Sequence, residues 1–136
     1  MKNAKLKIRK DIVERTYNFA LCIVKFVRIL PKETAGFELG RQLLKAGTSI
    51  AANVEEAQGA FSKEDFIYKM QTAFKEAREA NFWLRLIRDS GVIKNEEFKI
   101  KNFDEEDLEN LIRESEEIKN ILASIVKTSK KNKNIF

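Results

Sequence analysis

The chain has 136 residues, enough for one domain or one protomer of an assembly, with 35% of them charged and 43% hydrophobic. Histidine is absent and Cys22 is the one cysteine, which excludes Ser-His-Asp chemistry, Cys/His zinc sites, internal disulfides and CxxC redox motifs, while five glycines and one proline give an all-helical composition. The net charge of +5 is unevenly spread: residues 1–45 hold 11 basic and 4 acidic groups, residues 96–126 hold 4 and 10, and residues 127–136 hold 4 basic and no acidic ones, a pattern that suits a polyanion partner or contacts between subunits of opposite local sign.

Residues 1–10, with Lys2, Lys5, Lys7, Arg9 and Lys10, read as a solvated basic segment ahead of ordered structure. The first helix is predicted from about Asp11 to Leu30, where Ile12, Thr16, Phe19, Ile23, Phe26 and Leu30 recur at steps of four and three. A second seam, Val13, Tyr17, Ala20, Val24 and Val27, makes the stripe too wide for one partner, and Pro31 ends the helix. Asp11, Glu14, Arg15, Lys25 and Arg28 interrupt this run, so neither a targeting leader nor a membrane span is expected. Cys22 reads as a small packing residue in a reducing, cytoplasmic setting.

The second helix is predicted over about Ala35 to Ala57, with Leu39, Leu43, Ala46, Ile50, Asn53 and Ala57 on one line and Phe37, Gly40, Leu44, Gly47, Ala51 and Val54 on another. Being apolar or small on most of its circumference, it is expected at the centre of the fold. Each glycine costs about 1 kcal/mol of helix propensity relative to alanine, so Gly40 and Gly47 are expected at a close crossing with another backbone. Gly59 breaks this helix. Ser62-Lys63-Glu64-Asp65 starts a third, which carries Phe66, Met70, Ala73, Ala77, Ala80, Leu84 and Ile87 on its apolar line and stops at Gly91. Residues 92–102 form a connector. Asp104 begins the fourth helix, whose apolar line is Leu108, Leu111, Ser115, Ile118, Leu122 and Ile125, and a flexible basic tail from about residue 128 carries Lys130, Lys131 and Lys133. The expected fold is a single all-α domain, an antiparallel up-and-down four-helix bundle, and its excess apolar circumference implies a closed homo-oligomer.

Chemistry is sparse. Glu55, Glu56, Glu76 and Glu79 lie near the middle of the two central helices, but a ferritin-like di-iron site needs Glu-x-x-His, so no metal or cofactor is expected and no catalytic residue is assigned. Asn53, Glu56 and Glu79 instead suggest a polar network in which Lys75 or Arg78 supplies donors and helix register is fixed. Lys75, Arg78, Phe82 and Arg85 share one face of the third helix, a basic row with an interleaved aromatic that suits phosphates and stacked bases. The same row is also explained by Lys75–Glu79 and Arg85–Asp89 pairs, with Phe82 and Trp83 packed into a subunit interface. Arg41 and Lys45, one turn apart on the second helix, have only Glu38 nearby to offset them.

The run Phe37-Glu38-Leu39-Gly40-Arg41-Gln42-Leu43-Leu44-Lys45-Ala46-Gly47-Thr48-Ser49-Ile50-Ala51-Ala52-Asn53-Val54-Glu55-Glu56-Ala57, followed by Ser62-Lys63-Glu64-Asp65-Phe66, Ala73-Phe74-Lys75-Glu76-Ala77-Arg78-Glu79 and Phe82-Trp83-Leu84, resembles a known family. It is that of the four-helix-bundle proteins encoded in intervening sequences of bacterial large-subunit ribosomal RNA genes, which includes the accessory variability proteins of diversity-generating retroelements. The resemblance spans roughly Ile12 to Ile125. It implies a ring-like homopentamer with an axial channel and no enzymatic activity. In the retroelement branch it implies binding of nucleic acid and a reverse transcriptase through basic surface residues. The sequence therefore points to a non-enzymatic oligomeric bundle that binds RNA or DNA through Arg41, Lys45, Lys75, Arg78 and Arg85, the alternative being a structural or protein-binding assembly module.

Overall fold

The four-three spacing of Ile12, Thr16, Phe19, Ile23, Phe26 and Leu30 becomes one continuous buried face in a computed structural model of the chain, which describes residues 2–94, 96, 99 and 101–132, with backbone alone over 2–10. That face belongs to α1 (Lys2–Arg28), which is followed by α2 (Thr34–Ala57), α3 (Lys63–Ser90) and α4 (Glu105–Lys131). Among the described residues there are four long helices and no strand, and they pack as a four-helix bundle around one apolar core. Thr16 tolerates full burial because its hydroxyl donates to the Ile12 carbonyl at 2.8 Å.

Both ends of the chain are more helical than expected. α1 starts at Lys2 rather than Asp11, because Lys, Arg, Ala and Leu are good helix formers and solvation of the lysines does not oppose the helix. The side chains of Lys2, Lys5, Lys7, Arg9 and Lys10 lie outside the described residues, as does Lys133. The expected tail is likewise helical through Lys131, and Ser129 is fully buried in that last stretch. At the other end α1 stops at Arg28, and Ile29 and Leu30 bond back to the carbonyls of Phe26 and Val27 in a tighter turn before Pro31.

The remaining boundaries follow the local chemistry. Ser62 caps α3 by accepting from the Asp65 amide at 3.0 Å, and Gly91 ends it in the left-handed region at φ 71°. Asp104 and Asp107 form a reciprocal capping box at the start of α4, with three acidic residues in its first turn to meet the helix dipole. In the connector, the Lys101 ammonium donates to the Ile29 carbonyl at 2.8 Å and Phe103 stacks on Phe26 with ring centroids 5.1 Å apart, so the connector is tied to the end of α1.

Successive helices are neighbours, and α4 returns beside α1. Cross-helix pairs run in opposite senses: Leu30 lies at Gly40 and Ile23 at Gly47, Arg88 reaches Glu109 and Asn81 reaches Ser115, and Phe26 meets Phe103 while Arg15 meets Glu114. The seam of α1 with α4 carries a fork. Arg15 Nε and a terminal nitrogen donate to Glu114 at 2.8 and 2.6 Å, and that terminal nitrogen also meets Glu117 at 2.9 Å, which holds the Arg15 guanidinium further above its ordinary pKa.

α2 is not at a centre, since all four helices share the core and Arg41, Lys45 and Ala52 face outward from it. Its small residues serve the contact with α1. A Cβ on Gly47 would lie 2.9 Å from Ile23 Cγ2, and one on Gly40 would lie 3.0 Å from Leu30 Cδ1. Gly40 and Gly47 are thus at a helix crossing as expected, although the neighbours are α1 side chains rather than backbone. Gly36 is tighter still: a Cβ there would overlap the Pro31 carbonyl.

Two substitutions separate these contacts. Gly36→Ala has no flexible neighbour to yield and is expected to cost about 3 kcal/mol. Gly47→Ala gains helix propensity but forces the branched Ile23 aside, for a net loss of about 1 kcal/mol, and Gly47→Leu is expected to cost more. Urea denaturation checks both, and a Gly36→Ala variant as stable as the parent would contradict the packed turn.

Candidate functional site

The basic row of α3 is largely where its spacing puts it. Lys75, Arg78, Phe82 and Arg85 are all exposed, with Lys75 and Phe82 pointing outward and Arg78 and Arg85 lining a cleft toward α4. Phe82 is 45% exposed and sits edge-on to the half-buried Trp83 at a centroid distance of 4.9 Å. The ion pairs that would have accounted for the row do not form. Asp89 is taken by Arg88 at 2.7 Å, which holds the Asp89 carboxyl below its ordinary pKa, and Arg85 acts on it only through space. Glu79 accepts from Trp83 Nε1 at 3.4 Å rather than pairing with Lys75.

Arg41 and Lys45 occupy the outer face of α2, away from the α3–α4 cleft. Arg41 meets Glu38 at 3.0 Å with both side chains about two-thirds exposed, a pair that contributes little in water. Lys45 is exposed and lies near Glu76, where burial, and then the Glu79 charge one turn away, push the Glu76 carboxyl above its ordinary pKa against the pull of Lys75 and Lys45. The structure therefore places Arg78 and Arg85 at the α3–α4 cleft, Lys45 and Lys75 to either side of Glu76, and Arg41 on the outer face of α2.

The register-fixing network is elsewhere than expected. Asn53 donates to the Ser49 carbonyl of its own helix at 2.9 Å, Glu56 is exposed, and Glu79 bonds within α3, so among the described residues none of the three joins α2 to α3. Ala73, Ala77 and Ala80 take the core face of α3, which leaves Glu79 half-buried beside Trp83 and Glu56 in water. The cross-helix network belongs to Asn81, which is only 8% exposed. Its amide donates to Ser115 Oγ at 3.0 Å and to the Ile112 carbonyl at 3.3 Å, and its oxygen accepts from Arg85 Nε at 2.9 Å. Ser115 in turn donates to the Ile112 carbonyl at 2.7 Å. A polar Ser115 inside the apolar line of α4 was the one sequence signal of this network; nothing in the spacing pointed to Asn81.

A second surface feature runs along α1 and α2. Tyr17 and Leu21 are 60% and 44% exposed, and with Val24, Ala51 and Ala52 they line an apolar groove, beside which Leu44 is also exposed. The outer members of the second seam of α1 are thus left uncovered within one chain. Among the described residues no group of three or more His, Cys, Asp or Glu side chains is placed to hold a metal ion, and no helix is long and apolar enough to cross a membrane.

An all-α bundle with a polar α3–α4 cleft and an uncovered α1–α2 groove defines the class of protein. The model of the 23S rRNA-intervening sequence protein family matches residues 9–124, and the chain belongs to that family. Among solved structures it is similar to a protein of unknown function from the S23 ribosomal protein family of Bacteroides thetaiotaomicron, with 34% identity over 88% of this chain and 98% of that one and a TM-score of 0.75. No curated protein matches.

Loss of the Asn81 amide removes both side-chain hydrogen bonds it makes across the α3–α4 seam, so Asn81→Ala is expected to cost about 1 to 3 kcal/mol in urea denaturation. Asn53→Ala, which removes only a bond within its own helix, should stay within about 0.5 kcal/mol. Equal losses at the two positions would argue against an α3–α4 register network.

Proposed function

We propose that the protein is a non-enzymatic, closed homo-oligomer that binds RNA or DNA through its basic outer surfaces. The observation that carries nucleic-acid binding is that Lys75, Arg78 and Arg85 stand exposed on one helix face and, among the described residues, none of them forms an ion pair with a carboxylate. An isolated surface lysine is ordinary, but a row of cations without ion pairs leaves its charge for an external anion, and Phe82 adds a surface on which a base can stack. Repetition around an oligomer multiplies the contacts.

Assembly is supported by the α1–α2 groove. Its apolar side chains lie side by side and are backed by small residues, Ala51 and Ala52, that allow a neighbouring helix to approach. Family resemblance favours a ring of five, with a reverse transcriptase as a further partner where the gene lies in a retroelement. The absence of histidine from the whole chain supports a non-enzymatic role.

Light scattering coupled to size exclusion should give a single species at a multiple of 15.8 kDa, and Leu21→Arg in the groove should reduce it to the monomer with helicity intact. Gel shifts on structured RNA, single-stranded DNA and duplex DNA at two salt concentrations test the binding. Complexes should weaken steeply with salt, and charge reversal of Arg41 and Lys45 to glutamate should abolish them without changing assembly. No complex with any of the three at low salt would favour the protein-binding assembly instead.

A further inference from the structure

The cleft between α3 and α4 has an uneven balance of partners. It is open, about 510 Å³, and is lined by Arg78, Asn81 and Arg85 from α3 and by Glu109, Arg113, Glu116 and Lys119 from α4. Both of its carboxylates are committed, Glu109 to Arg88 at 3.1 Å and Glu116 to Lys119 at 2.7 Å. The three guanidinium groups are not. Arg85 bonds only the neutral Asn81 oxygen, Arg113 bonds only the neutral Asn110 oxygen at 3.0 Å, and Arg78 has no ion pair or hydrogen bond to a described residue.

The bond from Asn81 also sets how Arg85 is presented. The Asn81 amide nitrogen is occupied by Ser115 and the Ile112 carbonyl, so its oxygen is fixed toward α3 and accepts from Arg85 Nε. With Nε engaged at the buried side, both terminal nitrogens are left unbonded, and their paired N–H groups form the planar fork that matches two oxygens of one phosphate. Arg113 stands on the opposite wall of the same cleft.

We propose that this cleft seats a phosphodiester group of a nucleic-acid backbone, with the Arg85 fork and Arg113 as its donors, Arg78 as a flanking cation and Asn81 as the positioning residue. The inference rests on the nucleic-acid reading above and adds to it a site that needs α4 as well as the α3 row. Glu109 and Glu116, committed to Arg88 and Lys119, leave the guanidinium groups of the cleft as its donors to an incoming anion.

The test is fluorescence anisotropy of the full-length protein on fluorescein-labelled single-stranded oligouridylate across a salt series. Arg113→Gln, a substitution on an exposed position, should weaken binding about tenfold and make the log–log salt slope shallower by about 0.7, the loss of one phosphate contact per bound site. Arg85→Lys keeps the charge but loses the fork, so affinity should fall by about tenfold with little change in slope. Asn81→Leu should weaken binding in the parent and add nothing in the Arg85→Lys background, whereas a purely structural role would subtract equally in both. Failure of the parent protein to bind at low salt would overturn the nucleic-acid reading and this site with it. Parent binding with an Arg113→Gln variant indistinguishable from it would overturn the cleft alone.

Discussion

The approach of α1 to α2 sets the terms for the rest of the molecule. Because Gly36, Gly40 and Gly47 present no side chain, Pro31, Leu30 and Ile23 come against the α2 backbone, and the two helices lie closer than leucine or isoleucine at those positions would permit. Close approach draws the Ile12-to-Leu30 face fully into the core with Val13 and Val27 packed beside it, and it leaves the outer members of the second seam along the same edge. Tyr17, Leu21 and Val24 are exposed for that reason, not because the bundle is loosely packed. The groove proposed to join subunits is a by-product of the contact that holds the protomer together.

The opposite side of the bundle follows a different logic. Where α3 meets α4, alanines narrow the α3 core face and leave a buried amide, Asn81, bonded across to Ser115 and Ile112. Such a polar bond contributes modest net stability but penalises any slip of one helix along the other, because a slip takes both acceptors away from the buried Asn81 amide nitrogen. The same amide then governs a surface arginine. One residue thereby links helix register in the core to the presentation of a cation at the surface.

Fold was legible from spacing wherever a buried face had one period. The seam of α1, the apolar line of α3 and the caps at Ser62, Gly91 and Asp104 were all readable, since each depends on neighbours three or four residues away. The ends were not, because charge composition says little about whether lysines are helical. The candidate site was partly legible: the Lys75, Arg78, Arg85 face is a matter of helical period, whereas its division between an outer surface and a cleft depends on where α4 lies. The Asn53, Glu56 and Glu79 network failed for a related reason. Polar groups on adjacent helices read as partners only if they face each other, and here the alanine line takes the interior while Glu79 bonds Trp83 on its own helix and Glu56 stays in water.

Three of the four seams join helices that follow one another in sequence, and the α1–α2 and α2–α3 hairpins close over short connections, residues 29–33 and 58–62. The seam of α1 with α4 is different, for Arg15 and Glu114 are 99 positions apart. Its chain-closure entropy falls on a contact secured by a half-exposed ionic fork and one tilted pair of phenyl rings, Phe26 and Phe103. In folding terms this is the one non-local pairing among the four helices of a low-contact-order topology, and its loop is the longest to close. A protomer that opens there exposes the inner faces of its two terminal helices, and at high concentration exchange of α1 between molecules becomes the natural competing route to an oligomer.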